Sequence, residues 1–159
     1  FFDDLLRNTK SLGQKKELHV LFSTETLPAV LPLPEHPLRR ILNNLLDNAV
    51  RYSPCKGTVT LDASIRDYGD APEKEGTLFL TVSDEGPGFC EDALLYGTEA
   101  FYRESADRND KSHFGLGLSI ADQLARGLGG SIALCNAPAG GAVVIVRLPL
   151  TGQMQRDAE

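Results

Sequence analysis

The stretch Leu38-Arg39-Arg40-Ile41-Leu42-Asn43-Asn44-Leu45-Leu46-Asp47-Asn48-Ala49-Val50-Arg51-Tyr52 decides how this chain folds. Leu38, Ile41, Leu42, Leu45, Leu46 and Ala49 recur at helical spacing and form one continuous apolar stripe. The stretch is therefore read as an amphipathic helix that covers a core, closed by Ser53-Pro54. Asn44 and Asn48 stand one helical turn apart and share a face. Arg40 lies a turn before Asn44, and Arg51 follows Asn48. Amide oxygens are hard ligands suited to Mg²⁺, which favours a few protein oxygens together with phosphates and water. An isolated pair of this kind is most often a solvated polar face. Three glycine-rich turns downstream shift the reading towards a ligand.

Outward from the helix, the periodicities change. Phe1, Phe2, Leu5, Leu6 and Leu12 keep helical spacing up to Gly13. Leu18, Val20 and Phe22 alternate with His19 and Ser23 as in a strand. Pro28, Pro32, Pro34 and Pro37 punctuate an extended connection that holds His36. Beyond the helix, Val59, Leu61, Ala63 and Ile65 point one way and Leu78, Leu80 and Val82 repeat the pattern. These predict a hairpin around a solvated acidic loop, 67–76. Residues 103–113 have no apolar periodicity and are expected to be a mobile, charged loop. Leu116, Ile120, Leu124 and Leu128 predict a helix that stops at 127–130. Residues 131–135 and 142–148 are final strands, turned at Pro138-Ala139-Gly140-Gly141. The expected fold class is α+β: one sheet with amphipathic helices packed on one face.

Each glycine turn has a plain and a chemical reading. Asp84-Glu85-Gly86-Pro87-Gly88 follows a buried-looking strand. Asp and Gly are common at strand ends, yet a carboxylate there can accept a hydrogen bond from an exocyclic amino group such as adenine presents. Gly115-Leu116-Gly117-Leu118 precedes a helix. Backbone N–H groups at a helix start attract phosphate. Neither motif is specific alone; the order of helix, first turn and second turn is far more so.

Composition bounds the rest. The chain has 159 residues, 42% hydrophobic and 24% charged, as expected of one globular domain. A net charge of −6 argues against general nucleic-acid affinity, without excluding an anionic ligand held by local cations and backbone amides. Cys55, Cys90 and Cys135 are odd in number and lack metal-ligand spacing, so a reducing cytoplasmic setting is expected. No apolar run is long enough to span a bilayer and no signal peptide is visible. The chain opens in mid-pattern without Met and is read as a fragment of something longer, with any membrane segments lying outside it.

Together these residues resemble the catalytic, ATP-binding domain of sensor histidine kinases, in the superfamily that also holds gyrase, the heat-shock chaperone ATPases and the MutL repair proteins. Asn44-Leu45-Leu46-Asp47-Asn48-Ala49-Val50-Arg51-Tyr52-Ser53-Pro54 resembles the family's N box. Asp84 to Gly88 and Gly115 to Leu118 resemble its two glycine boxes, and Glu99-Ala100-Phe101-Tyr102-Arg103 the end of its F box. The resemblance implies a two-layer sandwich: a mixed sheet of about five strands with three helices on one face. It implies that residues 15–150 are the catalytic domain, 1–14 the end of a helical hairpin or connector, and 151–159 a flexible tail.

The resemblance also implies roles. Asn48 would be the main Mg²⁺ ligand, with Asn44 beside it. Arg51 would contact phosphate and Tyr52 flank adenine, while Asp84 would read the adenine amino group in a pocket shaped by Gly86 and Gly88. Arg103 would reach the terminal phosphates, and Gly115, Leu116, Gly117 and Leu118 would line the phosphates below a lid, 103–114. Two departures stand out: His113 occupies a usual glycine position, and Thr98 stands near the place of the first F-box phenylalanine. None of His19, His36 or His113 resembles a phosphoacceptor. The implied activity is transfer of the γ-phosphoryl of Mg-ATP to a histidine on an adjoining dimerisation domain, with a response regulator downstream and this chain by itself a monomer. The alternatives are a related ATPase or a sigma-regulating serine kinase, both of which favour an acid where Asn44 stands, and a degenerate docking module.

Overall fold

The computed structural model describes residues 1–67, 76–99 and 117–150. Helix α1 (Phe2–Gly13) runs through a short 3₁₀ turn (Gln14–Lys16) into strand β1 (His19–Ser23). Helix α2 (Glu35–Tyr52) crosses to the antiparallel pair β2 (Thr58–Asp67) and β3 (Gly76–Ser83). Short helix α3 (Glu91–Tyr96), helix α4 (Gly117–Gly127) and strands β4 (Ser131–Asn136) and β5 (Ala142–Leu150) complete the order. The five-stranded sheet runs β1-β2-β3-β5-β4, parallel only between β1 and β2.

The pattern of side chains dictates this packing. α2 buries Leu38, Ile41, Leu42, Leu45, Leu46, Ala49 and Val50, and each fully buried leucine contributes about 1.5–3 kcal/mol over an exposed one. The opposing layer comes from alternate strand residues: Val59, Leu61, Ala63, Leu78, Leu80, Val82, Val144, Val146 and Leu148. Leu5 of α1 and Ala121, Ala125 and Leu128 from α4 and its end join the same core.

The expected α+β sandwich is therefore the observed one, with corrections of detail. His36 does not lie in the proline-rich connection. α2 begins at Glu35, so His36 and Pro37 occupy its first turn, where a proline needs no helical N–H partner. α4 is the predicted helix: Ser119, Ala121 and Ala125 are its fully buried residues, Leu124 is partly covered and packs on the core, and Leu128 just beyond it joins that core. Small side chains let α4 approach α2 closely. α3 was not anticipated; of its residues only Ala93 is buried. Cys55, Cys90 and Cys135 are exposed and form no disulfide with one another. Among the described residues no helix is long and apolar enough to cross a membrane.

Candidate functional site

The amide face of α2 meets the first residue of α4. A methyl group added to Gly117 would lie 3.8 Å from both amide atoms of Asn48 and 3.9 Å from Asn44 Oδ1. The stripe that buries Leu45, Leu46 and Ala49 leaves Asn44 and Asn48 half-buried at the edge of the core. Asn44 Nδ2 is buried with no hydrogen-bond partner among the described residues. An orphaned buried donor of this kind costs about 1–3 kcal/mol unless an acceptor completes it. Two amides, the N-terminal end of a helix and an unfilled donor together suit a phosphate-bearing ligand with a hard cation. No cluster of His, Cys, Asp and Glu able to hold a metal by itself occurs among the described residues, so amides and ligand oxygens are the donor set this region offers.

At the C-terminal end of α2, Tyr52 is 37% exposed and the Arg51 guanidinium sits 6.0 Å from the centre of its ring. Gly86 packs against this end: a side chain there would collide with the Tyr52 carbonyl and lie 3.0 Å from Asp84 Oδ1. Asp84 is only 9% exposed. Its Oδ1 accepts the N–H groups of Gly86 at 2.8 Å and Ala142 at 3.3 Å. Burial pushes the Asp84 carboxyl above its ordinary range, and the bonds from Gly86 and then Ala142 oppose that rise. With both bonds on Oδ1, Oδ2 is the acceptor left for a ligand donor.

Glycines hold this corner shut. Gly141 adopts φ +98° and has no room for a side chain against the Asp84 carbonyl. Gly88 adopts φ +78°, and a methyl group there would lie 2.7 Å from Asn136 Oδ1. Asn136 was not singled out from sequence. Its Oδ1 accepts the Phe89 N–H at 2.7 Å and its Nδ2 donates to the Phe89 carbonyl at 2.8 Å, a side-chain imitation of strand pairing. Glu85 Oε2 accepts the Thr58 N–H at 2.8 Å and ties the turn to the start of β2.

The structure thus brings Asn44, Asn48 and Gly117 together, and joins Tyr52, Gly86 and Asp84 one turn further along the same helix, at its C-terminal end. Leu118 faces the core. Thr98 is half-buried beyond α3. Arg103, Gly115, Leu116, His113 and the loop expected as a lid lie outside the described residues, as do the tail and most of the acidic loop.

Comparison with known proteins shows the family and the fold. The family described as histidine kinase-, DNA gyrase B- and HSP90-like ATPase matches residues 34–152. The sensor histidine kinase SpaK of Bacillus subtilis is 33% identical over 152 residues, which are 95% of this chain and 31% of that protein. The signal transduction histidine-protein kinase BaeS of Escherichia coli (strain K12) is 36% identical over 121 residues, 76% of this chain and 24% of that one. The chain therefore spans about a third or less of these relatives. Among solved structures, full-length ShkA in complex with AMPPNP superposes with a TM-score of 0.73 at 28% identity, over 96% of this chain and 31% of that one. The mycobacterial sensor histidine kinase MprB shares the fold, with a TM-score of 0.70 at 24% identity over 94% of this chain and 96% of its own. From its helix of amides to its glycine-closed carboxylate, this chain belongs to the histidine kinase-, DNA gyrase B- and HSP90-like ATPase family.

Proposed function

We propose that this chain is the ATP-binding catalytic domain of a two-component sensor kinase, which passes the γ-phosphoryl of Mg-ATP to a histidine on an adjoining dimerisation domain. The observation that carries this reading is the pairing of a fixed, buried Asp84 acceptor with an amide face whose Asn44 donor lacks a partner among the described residues. Asp84 Oδ2 accepts the adenine amino group, and Gly86 and Gly88 keep side chains out of the base's place. Tyr52 flanks the base. Arg51 and the N-terminal amides of α4 at Gly117 and Leu118 neutralise phosphate charge. Asn48 and Asn44 hold Mg²⁺ through their amide oxygens, and the ion, when bound, supplies charge neutralisation on the phosphates. Arg103, Gly115 and Leu116 complete the phosphate end on this reading.

The chemistry asks little else of the domain. Phosphoryl transfer is largely positioning and electrostatic stabilisation, and an acceptor imidazole is itself the nucleophile. An amide at position 44 cannot take a proton from water, which disfavours the hydrolytic relatives. Response regulators would act after transfer, away from this site.

The test is to incubate the chain with γ-labelled ATP, Mg²⁺ and a separately produced dimerisation domain of the same protein. Acid-labile, base-stable label on that domain, absent with Asn48→Ala, is the expected result. Phosphate release to water without labelling, or label stable to acid, would contradict the proposal.

A further inference from the structure

The C-terminal turn of α2 is held from outside the helix by one side chain. The last carbonyls of a helix have no partner within it. Ala49 O still accepts the Ser53 N–H at 3.1 Å. Beyond it, Lys16 Nζ donates to Val50 O at 2.9 Å, Arg51 O at 2.6 Å and Ser53 O at 2.9 Å. A lysine head group carries three donors, so these contacts saturate it. The carbonyl it skips, that of Tyr52, is the one packed against Gly86. The terminal carbonyls are thus divided: three go to Lys16, and one abuts the turn that carries Asp84.

The main chain reinforces the grip. The Lys56 N–H donates to Lys16 O at 2.7 Å, so the turns before β1 and before β2 are joined at the same residue. Glu17, in the left-handed region at φ 55°, turns the chain directly afterwards. A cation at a helix C-terminus is favoured by the helix dipole as well as by its hydrogen bonds. An end cap needs no particular relation to a ligand site. This one clamps the residue pair, Arg51 and Tyr52, that borders the candidate pocket, and does so from the segment leading out of α1.

We propose that Lys16 is a positioning residue for the nucleotide: by saturating the carbonyls of Val50, Arg51 and Ser53 it fixes the turn that aims Arg51 and Tyr52 and seats the Tyr52 carbonyl on Gly86. The inference rests on the nucleotide reading of that pocket and adds a residue more than thirty positions from it in sequence. Removing the head group lets the last turn of α2 fray while the buried stripe still holds the rest of the helix.

The experiment is calorimetric titration of the full chain with AMPPNP and Mg²⁺, well below every melting temperature, for wild type, Lys16→Met, Lys16→Gln, Lys16→Arg and Thr9→Val. Thr9 is buried in α1, where its hydroxyl donates to Leu5 O at 2.7 Å, so Thr9→Val destabilises the same segment without touching α2's end. Lys16→Met is expected to weaken binding about tenfold, Lys16→Gln by an intermediate factor and Lys16→Arg by less than about threefold. Thr9→Val is expected to stay within about twofold of wild type whatever its melting temperature. Lys16→Met affinity within twofold of wild type overturns the inference, leaving Lys16 a plain cap. So does an equal loss in Thr9→Val. If Lys16→Met does not fold, the order wild type, Lys16→Arg, Lys16→Gln carries the test, and equal affinities overturn it. A wild type that does not bind at all fails the proposed function and this inference together, whereas binding indifferent to Lys16 fails this inference alone.

Discussion

The two ends of the candidate site are built on opposite terms. At the Asp84 end the protein pins the turn itself, although Asp84 Oδ2 stays open and the buried Ser53 Oγ has no partner among the described residues. Oδ1 takes two backbone N–H groups, Glu85 and Asn136 pin the turn, and Gly86 and Gly141 leave no space for a side chain. At the amide end, Asn44 Nδ2 is buried without a partner among the described residues, and Gly117 leaves room beside both asparagines. The first end is fixed by backbone hydrogen bonds and glycine packing, whereas the second has an amide donor without a partner among the described residues and room beside it. On the proposed function, that difference makes the base pocket preorganised and leaves the phosphate pocket to be completed by metal and ligand. Substitutions at the first end should therefore disturb fold and binding together, whereas those at the second should separate them.

The largest effect is expected where the closed end is tightest. Gly141→Ala forces a side chain into the Asp84 carbonyl at φ +98° and should cost about 3–5 kcal/mol by denaturant unfolding; a cost below 1 kcal/mol would show the corner to be loose. Next, Asn48→Ala should lower Mg-dependent affinity for an ATP analogue by about a hundredfold with the melting temperature little changed, and tight Mg-dependent binding by this variant would remove Asn48 from the metal site.

Asp84→Asn keeps an oxygen for the Gly86 and Ala142 bonds and replaces only the outward acceptor. Adenine affinity should fall by about 1–3 kcal/mol, with loss of preference over GTP, and unchanged values would count against Asp84 as the base reader. The same variant carries a pH signature. Because burial raises the Asp84 carboxyl above 3.8, the folded chain keeps this proton at pH values where the unfolded chain has released it. Stability from this group is therefore greatest below 3.8, falls as pH rises through the raised value and is level above it; Asp84→Asn should remove that slope. Smallest in size, and opposite in sign, is Asn44→Leu. It removes the orphaned donor and should stabilise the apo chain by about 1 kcal/mol while weakening Mg-dependent binding. Destabilisation would mean that the amide end is satisfied after all.

Much of this was readable along the chain because it is periodic. The α2 stripe and the alternation in β2 and β3 are local patterns, and the core uses the residues they name. The order of amide helix, first glycine turn and second glycine turn is what the proposed site rests on. What sequence did not reveal acts at a distance or without periodicity. Lys16 meets α2 and Asn136 meets Phe89 only after the sheet is assembled. Six-residue α3 exposes Leu94, Leu95 and Tyr96 and buries only Ala93, so it has no stripe to recognise. In α4 the leucine spacing gave the helix, but its fully buried positions are the small Ser119, Ala121 and Ala125, which carry no strong hydrophobic signal.

The central claim is that a finished base pocket is joined to an amide end completed by metal and phosphate. The most direct test is calorimetric titration of the chain with a non-hydrolysable ATP analogue, with and without Mg²⁺, beside adenosine alone. The account predicts weak, Mg-independent adenosine binding and roughly micromolar analogue binding that strengthens with Mg²⁺. Analogue binding indifferent to Mg²⁺, or no binding of either ligand, would contradict it.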